Sequence, residues 1–296
     1  MWFKQLTPFR LLEMPEERQL DEALGSCRFT PPPGLSWFSE GFDTPVPFDY
    51  DRAVFEADGS LLVSLKREEK ILPGAAINQI LAEKTAKIQA EEGRNIGRRE
   101  KQELREAIID DLLPKALTQS SRTYGLLAQG WLWVDTASPH KAENLLSHLR
   151  LALGGMNALY PRTVQAPGNL MTEWLLRGEC GGGFELDCDC TLIGVGDVAP
   201  KVKISRKDLT DDDVVRHVKN GMLVAELGLV WQERIAFILT GELTLKRIRW
   251  LDVLQEQAAD GADDIPTRTY AEQVIMTAAL SEMLGELVGL LGGWQD

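Results

Sequence analysis

The sequence predicts an α+β fold, with mixed and antiparallel sheets and a projecting helical hairpin. Three observations carry this. Apolar residues recur at helical spacing over 74–113, between Pro73 and Pro114. Three short strand patterns follow one another over 222–250, joined by tight-turn residues. Strand and helix runs are mixed without a regular βαβ rhythm, which disfavours a wound parallel sheet.

The elements follow in order. Residues 3–12 read as an apolar, aromatic strand, and 15–25 as helical, ending before Gly25. The stretch 31–47 holds Pro31-Pro32-Pro33-Gly34, Pro45 and Pro47 and reads as loop with short extended pieces, because proline fixes φ and removes a donor. Asp58-Gly59 signals a turn before a strand at 61–65.

After Pro73 the period changes. Ile77, Ile80, Leu81, Thr85 and Ile88 share one face of a helix over 74–92, about 28 Å long at 1.5 Å per residue. Gly93 and Gly97 interrupt it, and a second helix over 98–113 carries Leu104, Ile108 and Leu112. Strands are expected at 122–128 and 131–135, then helices at 139–152 and 168–177. Phe184–Ile193 and 201–205 alternate like strands. A helix over 211–219 places Asp211, Asp212 and Asp213 in its first turn behind a Thr210 N-cap, where the dipole favours negative charge. Strands at 222–231, 234–240 and 243–250 follow, the last two joined at Thr240-Gly241-Glu242, and a terminal helix covers 267–291.

The domain reading is a first α+β lobe from 1–73 with 119–165, a helical arm at 74–118, and a second lobe at 166–296 ending in the long helix. No run approaches the roughly 18 apolar residues of a membrane span, and the N-terminus lacks a signal-peptide pattern. Four cysteines in 296 residues do not make a disulfide framework. A reduced, cytoplasmic protein is expected.

The formal net charge of -13 argues against blanket adhesion to polyanions, but the charge is uneven. Arg94–Arg105 holds five cations against two acids, and Lys201–Lys207 holds four cations and no acid. From Asp252 onward nine acids face Arg268 alone. Cations on a shaped surface are all that counterion release from DNA requires. A solvated, charge-mixed surface is the plainer reading of such runs.

The other candidate chemistry reads as structural. Cys188-Asp189-Cys190 with Cys180 lacks a second ligand pair at zinc spacing and reads as buried thiols. Gly194–Ala199 matches G-x-G-x-x-A, but Pro200 and a strand follow where the fingerprint needs a helix, so it reads as a turn. Gly181-Gly182-Gly183 lacks the Lys-Ser/Thr of a P-loop and reads as a hinge. Asp211–Asp213 and Asp263-Asp264 could supply carboxylates to a metal-dependent nuclease, but read as a helix start and an acidic loop. No catalytic residue, metal or cofactor is expected.

Blocks spread along the chain then carry a resemblance. They include Trp2-Phe3-Lys4, Arg67–Pro73, Leu112–Ala116, Asp135-Thr136-Ala137, Leu170–Trp174, Lys207–Thr210, Trp231–Ile235 and Leu245–Ile248. In order and spacing the chain resembles the RdgC family of recombination-associated proteins. The resemblance implies a non-enzymatic, nucleoid-associated protein that binds duplex DNA without sequence preference, with single-stranded DNA as a further ligand. It implies an elongated subunit closing into a ring-shaped homodimer around DNA, restraining RecA access. Direct contact with RecA and a nuclease are the alternatives.

On this reading Lys87, Arg94, Arg98, Arg99, Lys115, Lys201, Lys203 and Arg206 contact phosphates. Leu113 and Leu117 at the hairpin, and Leu284, Leu287 and Leu291 on the terminal helix, form the subunit contacts. Leu117 stands where members of that family carry phenylalanine.

Overall fold

The structure, a computed structural model, describes residues 1–196 and 198–295. In chain order its elements begin with β1 (Thr7–Leu11), α1 (Glu17–Gly25), β2 (Phe38–Asp43), β3 (Val54–Ala57), β4 (Ser60–Ile71), α2 (Gly74–Glu92) and α3 (Arg98–Leu112). A 3-10 turn (Leu113–Lys115) leads to β5 (Leu117–Ala128), β6 (Trp131–Val134), α4 (Pro139–Leu153), β7 (Ala158–Leu159), α5 (Pro167–Arg177) and β8 (Phe184–Ile193). The remainder is β9 (Lys201–Ile204), α6 (Asp212–Lys219), β10 (Leu223–Trp231), β11 (Ile235–Thr240), β12 (Leu245–Trp250), α7 (Asp252–Ala259) and α8 (Ile265–Leu290). The class is α+β, with antiparallel sheets and, among the described residues, eight α-helices.

The chain divides into two compact units. The first comprises Met1–Ser26, Thr44–Ser64 and Thr123–Asp296. Its first sheet runs β4-β5-β6-β1-β7 with β3 paired to β4, the later part of β4 pairing with β2, and its second has the order β12-β11-β10-β8-β9. The first segment of the chain ties the two sheets together. Leu6 and Leu245 exchange backbone hydrogen bonds at 2.9 and 2.8 Å, and the Ile248 N–H donates to the Lys4 carbonyl at 2.8 Å. The Trp250 indole N–H donates to the Phe3 carbonyl at 2.8 Å. These contacts occupy the outer edge of β12, which an antiparallel sheet would otherwise leave unpaired.

One apolar cluster of this unit brings Phe3, Leu6, Trp133, Trp174, Phe184, Trp231, Phe237 and the buried stripe of α8 into contact. By length and composition α8 could cross a bilayer, but half of that window is buried inside the chain. Leu284, Leu287 and Leu291, expected at a subunit contact, are 2%, 0% and 0% exposed. That expectation is corrected: full burial in the chain's own core leaves them no surface for a second copy. A helical stripe shows that a face is buried but does not show against what. Glu286, on α8, accepts hydrogen bonds from the Trp231 indole and the Gly183 N–H, both at 2.7 Å. The Gly181–Gly183 run, expected as a hinge, is therefore a docked seat for that carboxylate.

The second unit comprises Cys27–Asp43 and Leu65–Arg122. It holds β2, the later part of β4, α2, α3 and the start of β5, so one of the short extended pieces expected in the proline-rich stretch is a strand. The Lys70 N–H donates to the Trp37 carbonyl at 2.8 Å, next to where β2 begins. Gly93 ends α2 at φ +65°, a left-handed conformation that glycine enters without a Cβ penalty. α2 and α3 pack through a small core of Ile77, Leu81 and Ile108. Leu113, expected at a subunit contact, is 1% exposed, and that expectation is corrected: a side chain buried by its own chain offers no surface to a second copy. Leu117 is 81% exposed.

At α6 the N-cap is Asp211, with no side-chain cap hydrogen bond, in place of the expected Thr210. The Thr210 backbone N–H and hydroxyl both donate to Asp208, at 2.9 and 2.7 Å, so its side chain is committed two residues back, away from the helix. The Gly194–Ala199 stretch includes Asp197, which lies outside the described residues. β9 follows it, as the turn reading expects.

Candidate nucleic-acid interface

The second sheet of the first unit has two unlike faces. Leu227, Leu229, Phe237, Leu239, Leu245, Ile248 and Trp250 point into the core. The other face carries the charges. On β9, Lys201 and Lys203 are exposed while Val202 and Ile204 lean on the core, the alternation of a half-buried strand. β9 ends the strand order, and it pairs with β8 through Cys190↔Ile204, Thr191↔Lys203, Leu192↔Val202 and Ile193↔Lys201. Arg206 follows in a left-handed conformation at φ +56°, where its N–H donates to Asp189 Oδ1 at 3.2 Å.

β12 at the other edge adds three cations that were not among the expected contacts. Its register with β11 shifts between Ala236 and Ile238, and Arg247 sits in the shift at φ +51°. The extra residue restarts the alternation, so Lys246, Arg247 and Arg249 all turn outward while Leu245, Ile248 and Trp250 stay buried. The sequence signal was Leu245-Lys246-Arg247-Ile248-Arg249-Trp250, whose doubled cation breaks strict period 2.

These β12 cations reach across the sheet to carboxylates. Lys246 Nζ lies 2.8 Å from Glu226, Arg249 lies 3.1 Å from Asp187, and Arg247 lies 3.7 Å from Asp189. Gly228 on β10 lets the Asp187–Asp189 stretch of β8 pack close, since a Cβ there would stand 3.0 Å from the Asp189 carbonyl oxygen and 3.3 Å from the Asp187 Cβ. Thr191 donates to Glu226 at 3.1 Å. The hydrogen bond from Lys246 is the main cause holding the Glu226 carboxyl below its ordinary value; burial opposes it, and Thr191 and the charge of Lys201 add to it. Lys201, Lys203, Lys246 and Arg247 line a shared cavity of about 300 Å3, with Asp189, Thr191 and Glu226 on its walls.

Of the expected phosphate contacts, this face brings Lys201, Lys203 and Arg206 together. Among the described residues, none of the three has a carboxylate within ion-pair distance. Neighbouring Lys207 is different, paired with Asp211 at 3.5 Å and with Asp213.

The other five expected contacts belong to the second unit. Lys87 pairs with Glu91 at 3.9 Å, Arg99 with Glu103 at 3.0 Å and Lys115 with Asp111 at 3.3 Å, each one helical turn away. Arg94 is clamped by Glu92 at 2.6 Å and by both oxygens of Glu100 at 2.6 and 2.7 Å. Those hydrogen bonds, Glu100 first, raise the Arg94 pKa and lower that of Glu100. Arg98 is exposed and carries no ion pair among the described residues.

The cysteines are free thiols, and burial pushes Cys180 and Cys190 each up to about 12. Among the described residues no group of three or more His, Cys, Asp or Glu side chains gathers as a metal site.

The molecule is thus an α+β protein with a cationic sheet face set on an acidic chain. A family model described as "Putative exonuclease, RdgC" matches residues 1–294. A "Recombination-associated protein RdgC" of Neisseria meningitidis is 55% identical over 300 residues, covering 100% of both chains. Proteins of the same name from Laribacter hongkongensis and Pseudomonas aeruginosa are 46% and 34% identical, over 99% of this chain and 99% and 98% of their own. The chain belongs to the RdgC family.

Proposed function

We propose that this protein binds duplex DNA without sequence preference through the outer face of the β8–β12 sheet. The carrying observation is the β9 edge. Lys201, Lys203 and Arg206 present three outward cations free of ion pairs among the described residues, on a chain of net charge -13. Such a surface attracts phosphate locally while the rest of the molecule repels it, and it reads the backbone in preference to the bases. The relatives' name, recombination-associated, supports a role on DNA.

The finer reading is a ring-shaped homodimer that encircles DNA in the cytoplasmic nucleoid and restrains RecA access, with single-stranded DNA as a further ligand. Leu117, exposed at the start of β5 just after the α2–α3 pair, is the candidate subunit contact of that ring. Arg98, with Lys87, Arg94, Arg99 and Lys115, gives a second set of phosphate contacts. The role is non-catalytic in this reading.

The test is DNA binding measured against salt. A steep linear fall of log affinity with log salt is expected, and a flat response overturns the phosphate reading. Closed circular against linear duplex then tests encirclement. The family description favours a second reading, an exonuclease. Magnesium-dependent loss of nucleotides from duplex ends would establish it. A third reading, direct contact with RecA, requires capture of RecA with no DNA present.

A further inference from the structure

We propose that Asp187, Asp189 and Glu226 are built-in competitors for the DNA backbone, which hold the β12 cations in reserve and limit affinity. This rests on the sheet-face reading above. The face carries more outward cations than it offers to a ligand. Lys246, Arg247 and Arg249 each have a carboxylate partner within 4 Å, while Lys201 and Lys203 have none among the described residues. The partners are not sequence neighbours: they sit on β8 and β10, beneath side chains that cross the sheet from β12.

The crossing requires specific residues. The shift at Arg247 turns two successive cations outward, and Gly228 lets β8 pack close to β10 at Asp187 and Asp189, the carboxylates those cations reach. Asp189 also accepts the Arg206 N–H, so the same carboxylate that ties down Arg247 fixes the loop after β9. Glu226 sits on the cavity wall beside Lys201 and Lys203. Any phosphate entering there meets its negative charge.

A phosphate that recruits a β12 cation must displace a carboxylate already bound to it. The net gain is an exchange of one anion for another, with little counterion release. Affinity then rests on the β9 edge, and binding stays weaker than the number of outward cations would suggest. Neutralising the carboxylates while keeping their shape removes the competition.

The experiment is a set of variants in fluorescence anisotropy with a duplex of about 30 base pairs, across a salt series. D187N/D189N/E226Q is expected to bind at least ~10-fold tighter at about 0.1 M salt, with a salt slope steeper by ~2 as reserve cations engage phosphates. Adding R247A/R249A to that triple variant is expected to cancel the gain. In the wild-type background the same pair should cost less than K201A/K203A does. E226Q alone touches one ion pair and tests the idea if the triple variant folds poorly, as thermal unfolding will show. Weaker binding by K201A/K203A with no gain from E226Q or the triple overturns the competitor proposal and leaves the sheet-face reading intact. No effect of K201A/K203A, or no binding by the wild type, overturns both.

Discussion

The cationic regions of the two units neutralise their charges by different geometry. In α2 and α3, Lys87 pairs with Glu91 and Arg99 with Glu103, partners four residues apart on one helix. On the β8–β12 face, Arg249 pairs with Asp187 and Arg247 with Asp189, partners on strands that never adjoin. Helical pairs are exposed, screened and weak, and they form wherever spacing allows. Sheet pairs need a register and a bulge that aim side chains across neighbouring strands. A run of cations in sequence therefore says little about how much charge a surface offers: the helices look richest, and the β9 edge is the more open.

The hardest test of this contrast removes what holds the sheet in place. Leu287 is fully buried in the core shared by α8 and the sheet, so Leu287→Ala should cost about 4 kcal/mol in denaturant unfolding. At temperatures where the variant stays folded, its DNA affinity should match wild type. Next is the face itself. K201E/K203E should weaken duplex binding roughly a hundredfold at about 0.1 M salt and flatten the salt slope by about 2. The matching reversal R98E/R99E should cost no more than about tenfold, because Glu103 already holds Arg99. Equal losses would erase the distinction between the regions.

A smaller effect probes the minor core. Ile108→Ala removes one of three buried side chains between α2 and α3, and should cost about 2 kcal/mol. Hydrogen exchange should show the loss in α2 and α3, with the β8–β12 amides unaltered.

The smallest effect is in pH. Glu226 and Glu100 both have folded pKa values below their ordinary 4.5, each chiefly through a cation's hydrogen bond. A depressed carboxylate contributes stability that is full above 4.5 and is lost as pH falls through the lower folded value. Melting temperature between about pH 6 and pH 3 should therefore fall less in E226Q and in E100Q than in wild type. At about 0.5 M salt the E100Q difference should vanish while part of the E226Q difference persists, since Glu226 is the less exposed.

Much of this architecture was legible beforehand. The Pro73 and Pro114 brackets, the glycines at 93 and 97 and the Ile77–Ile108 spacing marked α2 and α3 closely. Lys201-Val202-Lys203-Ile204 announced a half-exposed strand, and it is one. Less regular signals were missed. β2 lies in a proline-rich stretch that allowed extended pieces without placing one, and α7 follows β12 too closely to stand out from the long helix. Lys246, Arg247 and Arg249 are not legible as one outward set, because the bulge breaks the alternation that marks outward residues.

What the sequence alone determined is local: which segments are helical or extended, where glycine and proline end them, and that cations cluster on an acidic chain. Those follow from backbone sterics and side-chain periodicity, which act over a few residues. Tertiary structure decided which apolar stripes are spent inside the chain and which cations are already answered. Leu284, Leu287 and Leu291 have the same pattern as an interface helix, and only packing shows that the chain's own core consumes them. Arg247 and Asp189 are 58 residues apart, and only the fold of the sheet makes them partners. Burial and ion pairing depend on distance in space, and no short-range rule in the chain encodes it.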